Sequence, residues 1–248
     1  YDSSIKVAFQ DRRGGTGHAV RIALQESSVS DDAVIVVVAG DAPLISGRTL
    51  TELTKVCEGE NVGAAVLTAD VDDPHGYGRI IRDPENGILR IVEEKDANDD
   101  EREVHEVNSS IYAFHSGTLK KALAEIKPNN AQGEEYLTDA IEIIRASGKK
   151  VIPIVADNYY EILGVNDRVQ LAEAAAILRD RVNERHMRNG VTILDPATTW
   201  IDDTVTIAPD VVVLPGSAIF GSTAIASHAV IGPRTTLQDC AVNSQHCG

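Results

Sequence analysis

The chain has 248 residues, enough for one large or two small domains with a sizeable buried core. Its 38 acidic and 23 basic side chains give a formal net charge of −15, which argues against a broad basic surface for nucleic acid or anionic lipid. A hydrophobic fraction of 43% and a charged fraction of 25% are typical of a soluble globular protein. No apolar run is long enough to cross a membrane.

Strand-like and helix-like patterns alternate along the first 165 residues. Residues 5–9 predict an internal strand, and residues 34–38 form a continuous apolar run typical of a strand buried on both faces. Further strands are predicted at residues 64–68, 79–81, 88–92 and 151–155.

Helical spacing of apolar residues lies between these strands. Three helices are predicted from this spacing. They are at residues 17–25, in the segment after Ser46, which is placed to cap it, and at residues 136–146, which a left-handed Gly148 would end. The alternation predicts an α/β fold with a mainly parallel sheet and helices on both faces.

The chain changes character after residue 165. Aliphatic side chains recur at helical spacing across the charged residues 166–187, which predicts one amphipathic helix of roughly 20 residues connecting two domains. From Ile201 onward the period is six residues. The aliphatic positions of this repeat are Ile201, Ile207, Val213, Ile219, Ile225, Ile231 and Leu237. The positions four residues further on, all small or β-branched, are Val205, Val211, Ser217, Thr223, Ala229, Thr235 and Ala241.

A hexapeptide period is typical of a parallel β-helix, in which the aliphatic side chains point inward. Three hexads make one turn of the left-handed form, so the repeat predicts just over two turns. A solenoid normally needs more repeats and a capped end. Because the chain also begins at Tyr1 rather than at Met, we expect it to be partial at both ends. The three cysteines, Cys57, Cys240 and Cys247, are few and widely spaced, which favours a reducing, cytoplasmic setting over a disulfide framework.

A glycine-rich turn follows the first predicted strand. In Gly14-Gly15-Thr16-Gly17, which opens a helix, free backbone amides favour an anion or an acceptor-rich ligand. The same glycines equally suit a tight strand-to-helix turn. The pattern is neither a P-loop nor a dinucleotide-binding fingerprint.

Three polar residues stand next to predicted elements. Asp41 comes after the buried strand at residues 34–38, where open α/β sheets bind ligands, and its carboxylate suits Mg²⁺; an Asx-turn or a helix cap is the alternative. Glu93 follows a predicted strand, and two interpretations are open: it contacts a ligand, or it is a charged residue at the solvated end of the strand. Asn166 opens the long helix and also fits its N-cap.

Taken together and in order, these motifs resemble one family. The matching segments are residues 10–18, 40–44, 76–80, 92–97, 106–108, 129–139 and 164–166, followed by the helix and the hexapeptide ending. Over essentially its whole length the chain resembles the bacterial bifunctional enzymes that combine N-acetylglucosamine-1-phosphate uridyltransferase with glucosamine-1-phosphate N-acetyltransferase.

The resemblance implies a fold with three parts. Residues 1–166 would form a Rossmann-like nucleotidyltransferase domain with a mostly parallel sheet, lacking its N-terminal phosphate loop. Residues 167–190 would form a linker helix. Residues 191–248 would form the first turns of a left-handed parallel β-helix, the acyltransferase domain.

The resemblance also implies roles for individual residues. Asp41 and Asn166 would hold the catalytic Mg²⁺. The residues that read the uracil base would be Gln10, Gly15 and Thr16. The residues that contact the N-acetylglucosamine part would be Gly78, Glu93, Asn108, Tyr136 and Thr138.

The implied reaction joins UTP and N-acetylglucosamine-1-phosphate into UDP-N-acetylglucosamine and pyrophosphate, for peptidoglycan synthesis. The attacking phosphate oxygen is already anionic, so no general base is needed. The difficulty is the alignment of two polyanions, which a bridging metal eases. The family also implies acetyl-CoA as a substrate of the whole protein and a homotrimer, with neither nucleic acid nor a membrane as partner.

Two departures from the family pattern limit this expectation. The phosphate loop would precede Tyr1, and the acetyltransferase site would follow Gly248, so we expect this stretch alone to be inactive. One alternative is another sugar-1-phosphate nucleotidyltransferase, distinguished by its base pocket at residues 10–16 and by its sugar pocket at Glu93 and Asn108. The other is a non-catalytic trimerising β-helix scaffold, which would not need Asp41.

Overall fold

A computed structural model describes residues 5–243. The chain forms two compact units, Tyr1–Gly164 and Val165–Gly248. Within residues 5–243, no helix has the length and apolar character needed to span a membrane. Cys57 and Cys240 are free thiols, and Cys247 lies outside the described residues.

The first unit contains one six-stranded sheet. Its strands are β1 (Val34–Val37), β2 (Val62–Asp70), β3 (Arg79–Arg82), β4 (Ile88–Val92), β5 (Glu106–His115) and β6 (Lys150–Val155). Five strands are neighbours in the order β4-β3-β5-β2-β6, and the sixth strand, β1, pairs with β5.

The prediction of a mainly parallel sheet is wrong in detail. Strand β6 pairs parallel with β2, but β5 pairs antiparallel with β1, β2 and β3, and β3 and β4 form an antiparallel pair. A parallel neighbour requires a long crossover connection, usually a helix. The short turn at residues 83–87 between β3 and β4 instead reverses the chain, so that β4 and, after the four-residue helix α3 (Asp99–Arg102), β5 both run opposite to β3. The sheet is mixed, and the fold class is α/β.

Helices cover both faces of this sheet, as predicted. The four others in the first unit are α1 (Thr16–Glu26), α2 (Gly47–Cys57), α4 (Ser116–Glu125) and α5 (Asp139–Ala146). Ala64 and Val66 of β2 pack into a core that includes residues of α4 and α5, whereas Ala65 and Leu67 pack into a core with residues of α2. Because side chains alternate along a strand, β2 takes part in both cores and lies at the centre of the unit.

Two predicted helix signals are confirmed. The Ser46 hydroxyl accepts a hydrogen bond of 3.1 Å from the Thr49 amide at the start of α2. Gly148 has a φ of 84° just after α5. Both are local effects, a cap and a left-handed stop, which depend on the residue itself and not on its tertiary neighbours.

The predicted strand at residues 5–9 is not formed. Ile5, Val7 and Phe9 are exposed, and within the described part of the chain no strand pairs with them. A strand is stable only when a neighbour satisfies its backbone donors and acceptors. The apolar pattern is typical of a strand, but it does not show whether a neighbouring strand is present to pair with these residues.

The second unit opens with α6 (Arg168–Arg188). Its N-cap is Asp167, whose carboxylate accepts a 2.8 Å hydrogen bond from the Gln170 amide. Asn166, the predicted alternative cap, instead donates its backbone amide to the Gln170 side chain at 2.7 Å. The cap interpretation of Asn166 is therefore wrong, and its exposed side chain is not used to start the helix.

Short strands follow α6 in the hexapeptide region. They are β7 (Thr192–Ile193), β8 (Trp200–Ile201), β9 (Thr206–Ile207), β10 (Val212–Val213), β11 (Ala218–Phe220), β12 (Ala224–Ile225), β13 (Val230–Ile231), β14 (Thr236–Gln238) and β15 (Ala241–Val242). They form three parallel sheets of three strands each, β13-β10-β7, β14-β11-β8 and β15-β12-β9. This is the stacking of a parallel β-helix. All seven predicted aliphatic positions pack in its core.

Two details of the repeat differ from the prediction. The coil has three layers rather than just over two, because β7 precedes the recognised hexads, separated from β8 by a 3-10 turn at Pro196–Thr198. The six-residue period shortens at the last strand, where Ala241 is exposed and Val242 is buried. Ala241 pairs with Ala224 and Val242 with Ile225, each seventeen residues apart, whereas Ala224 and Thr206 are eighteen residues apart.

Candidate functional site

A cavity of about 390 Å³ opens in the first unit. Residues from α1, β5, the ends of β1 and β4, and the loop before α5 surround it. These lining residues are Thr16, Ala19, Val20, Val37, Val38, Ala39, Glu93, Ser110, Tyr112, Gln132, Glu134, Tyr136, Leu137 and Thr138. The apolar residues give the cavity its body, and the few polar ones are placed to orient a ligand.

The glycine-rich turn contributes Thr16 to the lining of this cavity. Gly15 has a φ of 98°, and a Cβ there would lie 2.5 Å from the Glu135 carbonyl oxygen. The Gly17 amide donates to that same oxygen at 2.8 Å. The Thr16 hydroxyl accepts a 3.0 Å hydrogen bond from the Leu137 amide. The glycines thus let the turn pack directly on the loop before α5, which sets Thr16 at the edge of the cavity.

Gln10 lies beside this turn although residues 5–9 form no strand. Its side-chain amide donates to the Gly15 carbonyl at 3.3 Å and lies 2.8 Å from Nδ1 of His18. His18 is buried. The three residues predicted to read a base, Gln10, Gly15 and Thr16, are therefore neighbours in space.

Glu93 and Thr138 meet at another side of the cavity. The Thr138 hydroxyl donates to the Glu93 carboxylate at 3.0 Å. Burial raises the pKa of Glu93, while this hydrogen bond acts in the opposite direction. A Cβ on Gly78 would lie 3.5 Å from the same carboxylate, an ordinary van der Waals distance, and 3.3 Å from Cγ2 of Ile91. Burial and the nearby charge of Glu93 raise the pKa of Asp139, the first residue of α5, to about 6.

Asn108 and Tyr136 are both buried next to these groups. The Asn108 side-chain amide donates to the Tyr112 hydroxyl at 2.7 Å, and its backbone amide donates to the Gly78 carbonyl at 2.8 Å. The Tyr136 hydroxyl accepts a 2.8 Å hydrogen bond from Gln132, and burial raises the pKa of this phenol. Each predicted sugar contact therefore has a defined partner in the first unit.

Several lining residues were missed by the sequence analysis. Ser110 and Tyr112 belong to β5, of which only the Glu106-Val107-Asn108 motif was recognised. Gln132 and Glu134 were seen only as part of a polar loop. The apolar run Ile111-Tyr112-Ala113-Phe114 is a signal that would have predicted the strand.

The two predicted metal ligands lie in different units. Asp41 is in an exposed turn after β1, and its negative charge helps to raise the pKa of Tyr77, although burial is the larger cause. Asn166 is exposed at the start of the second unit. Across the described residues, no group of three or more His, Cys, Asp or Glu side chains is arranged to hold a metal. The accessible carboxylate and amide oxygens are nevertheless hard donors of the type that Mg²⁺ takes.

Residues 1–202 match the family described as nucleotidyl transferase. The chain is 46% identical over 244 residues to the bifunctional protein GlmU of Streptomyces avermitilis, an alignment that covers 98% of this chain and 51% of that protein. It is 49% identical over 245 residues to the protein of the same name from Bifidobacterium longum subsp. infantis, covering 98% of this chain and 53% of that protein.

The chain spans about half the length of these curated relatives. The family match, by contrast, covers most of the chain, including every residue that lines the cavity. The chain belongs to the nucleotidyl transferase family.

Proposed function

We propose that the first unit serves uridylyl transfer from UTP to N-acetylglucosamine-1-phosphate. The observation that carries this proposal is the convergence of Thr16, Glu93, Tyr136 and Thr138 on one cavity, in a member of the nucleotidyl transferase family. A nucleotide sugar needs a mostly apolar pocket with a few fixed polar groups at either end. This cavity offers both.

The two ends of the ligand would meet different walls. The uracil base would lie against the glycine-rich turn, where Gln10, Gly15 and Thr16 are neighbours. The N-acetylglucosamine part would lie against Glu93 and the residues around it, since an ionised carboxylate accepts hydrogen bonds from sugar hydroxyls. Gly78, Asn108, Tyr136 and Thr138 would complete that wall.

Asp41 and Asn166 are the proposed holders of Mg²⁺. When bound, the ion would neutralise the phosphates that must approach each other. The contribution of Asp41 is an exposed carboxylate at the end of β1, and that of Asn166 is an amide that the start of α6 does not use. The proposal predicts that Asp41→Asn weakens Mg²⁺-dependent nucleotide binding, measured by calorimetry with and without the ion.

Further roles belong to the whole protein. The relatives are named bifunctional, and the hexapeptide coil supports a proposed second activity, acetyl transfer from acetyl-CoA to glucosamine-1-phosphate. A left-handed coil, a homotrimer, a cytoplasmic location and a role in cell-wall synthesis are proposed on the same basis. So are the boundaries at residues 166 and 190.

Isothermal titration of the chain with UDP-N-acetylglucosamine, UDP-glucose and TDP-glucose tests the proposed substrates. We expect UDP-N-acetylglucosamine to bind most tightly, and Glu93→Gln to weaken it by about tenfold, because a hydrogen bond to a charged group is lost. The matched control is Glu125→Gln, an exposed residue of α4. Equal affinity for all three ligands, or unchanged affinity in Glu93→Gln, would contradict the proposal.

A further inference from the structure

Ser110 has an unusual backbone conformation for a residue that lines the cavity. Its φ is 61°, in the left-handed region where any side chain crowds the backbone. It lies in a bulge of β5, where the pairing with β2 passes from Val66–Tyr112 to Thr68–Asn108. Bulges turn a side chain out of the ladder, and strained residues concentrate at binding sites.

The neighbours of Ser110 form an ordered polar network. Its backbone amide donates to Oδ1 of Asn108 at 3.2 Å, and Nδ2 of Asn108 donates to the Tyr112 hydroxyl at 2.7 Å. Burial raises the pKa of Tyr112, and hydrogen bonds from the Asn108 and Ser110 side chains oppose that rise. Asn108 and Tyr112 are buried, whereas Ser110 is exposed. The network therefore holds the Ser110 hydroxyl at the cavity surface.

The Ser110 hydroxyl differs from the Glu93 carboxylate in the hydrogen bonds that it can make. The ionised Glu93 carboxylate can only accept hydrogen bonds, and the Thr138 hydroxyl already donates to it. A serine hydroxyl both donates and accepts, which suits a ligand rich in hydroxyl and amide groups. Glycine would fit the left-handed conformation without strain. Glycine would lack the hydrogen bond from the Ser110 side chain to Tyr112, and the exposed hydroxyl keeps further hydrogen-bonding capacity for a ligand.

We propose that Ser110 contacts the ligand directly, by a hydrogen bond between its hydroxyl and the sugar part of a nucleotide sugar. This inference rests on the proposed function of the cavity, and it adds a specificity-determining residue to it. Tyr112 then acts as a positioning residue, because its hydroxyl is hydrogen-bonded by both the Asn108 amide and the Ser110 side chain.

Two substitutions separate the hydroxyl from the strain. Ser110→Ala removes only the hydroxyl, whereas Ser110→Gly also removes the Cβ and relaxes the backbone. We expect both variants to bind UDP-N-acetylglucosamine about five- to tenfold more weakly than the unaltered chain in calorimetric titrations. UDP, which lacks the sugar, should bind all three proteins equally. The midpoint of thermal unfolding should rise in Ser110→Gly, which shows that the variant folds.

The other outcomes are equally decisive. Unchanged binding of UDP-N-acetylglucosamine by Ser110→Ala would overturn the role of Ser110 and leave the proposed function intact. Weak binding by Ser110→Ala with full binding by Ser110→Gly would also overturn it, because a variant without the hydroxyl would then bind as tightly as the unaltered chain. If the unaltered chain binds UDP but gains nothing from the sugar, or binds neither ligand, the proposed function fails and this inference falls with it.

Discussion

Asp139 shows how burial and neighbouring charges perturb the pKa of a single side chain. It begins α5, next to Thr138, and burial is the main reason that its pKa rises to about 6 from the ordinary 3.8. The negative charges of Glu93, Glu142 and Asp96 act in the same direction. The folded protein thus holds a proton on Asp139 more tightly than the unfolded chain does. Stability from this group is therefore greatest at low pH and falls as the pH rises from about 4 to 6.

Replacing Asp139 with Asn should remove this penalty. We expect Asp139→Asn to raise the free energy of unfolding at pH 7 by about 1 kcal/mol, a value reduced from the full linkage because the side chain is half exposed. At pH 4 the difference should vanish. Urea unfolding at both pH values measures it, with the exposed Asp100→Asn as the control. A lower free energy of unfolding for Asp139→Asn than for the unaltered chain at pH 7 would contradict this expectation, because the charged carboxylate would then stabilise the fold.

The long helix α6 buries a second titratable group. His186 is packed inward, and no hydrogen-bond partner for its Nε2 is found within the described structure. Burial is the main cause that lowers the pKa of His186 from 6.5, followed by the charge of Arg185, whereas Asp203 opposes them. The unfolded chain therefore binds the proton more readily, and the second unit should lose stability as the pH falls below about 6.5.

His186→Leu should flatten this pH dependence. Trp200, the only tryptophan of the chain, lies in the second unit with its ring 5.0 Å from the Arg179 guanidinium, so its fluorescence reports unfolding of that unit. We expect the unfolding midpoint in urea to fall between pH 7 and pH 5 in the unaltered chain and to change much less in His186→Leu. The exposed His228→Asn should behave as the unaltered chain does. An equal fall in all three proteins would rule out His186 as the cause.

The aliphatic side chains that point into the core of the parallel β-helix lead to a further prediction. Ile219 is completely buried in the core of the second unit, whereas Leu194 is 59% exposed. Ile219→Ala should cost about 3 kcal/mol of stability, from lost burial and the cavity left behind. Leu194→Ala should cost less than about 0.5 kcal/mol. Urea unfolding followed by Trp200 compares them, and equal costs would mean that the repeat does not point inward as described.

Across the whole molecule, the sequence predicted what local chemistry decides. The cap at Ser46, the stop at Gly148 and the inward ladder from Ile201 to Leu237 depend on short-range spacing, and all three are observed. Pairing was harder to predict. Residues 5–9 have strand character without a partner, and the antiparallel direction of β5 follows from the chain reversal between β3 and β4, which strand composition does not reveal.

The candidate site, too, could be predicted from the sequence only in part. Motif residues such as Thr16, Glu93 and Thr138 were recognisable in the sequence, and the structure brings them to one cavity. Ser110 was not recognisable, because its role comes from a bulge that exists only when β5 pairs with β2. The pairing of Asp41 with Asn166 at a metal stays a prediction, since the two residues belong to separate units.

The central claim is that the cavity beside the glycine-rich turn binds a nucleotide sugar. Nuclear magnetic resonance of the ¹⁵N-labelled chain, titrated with UDP-N-acetylglucosamine, tests it most directly. We predict that the largest amide shifts occur at Thr16, Glu93, Tyr136 and Thr138, and that the amides of the coil from Trp200 to Val242 stay in place. Shifts confined to the coil, or no shifts at ligand concentrations up to several millimolar, would contradict the account.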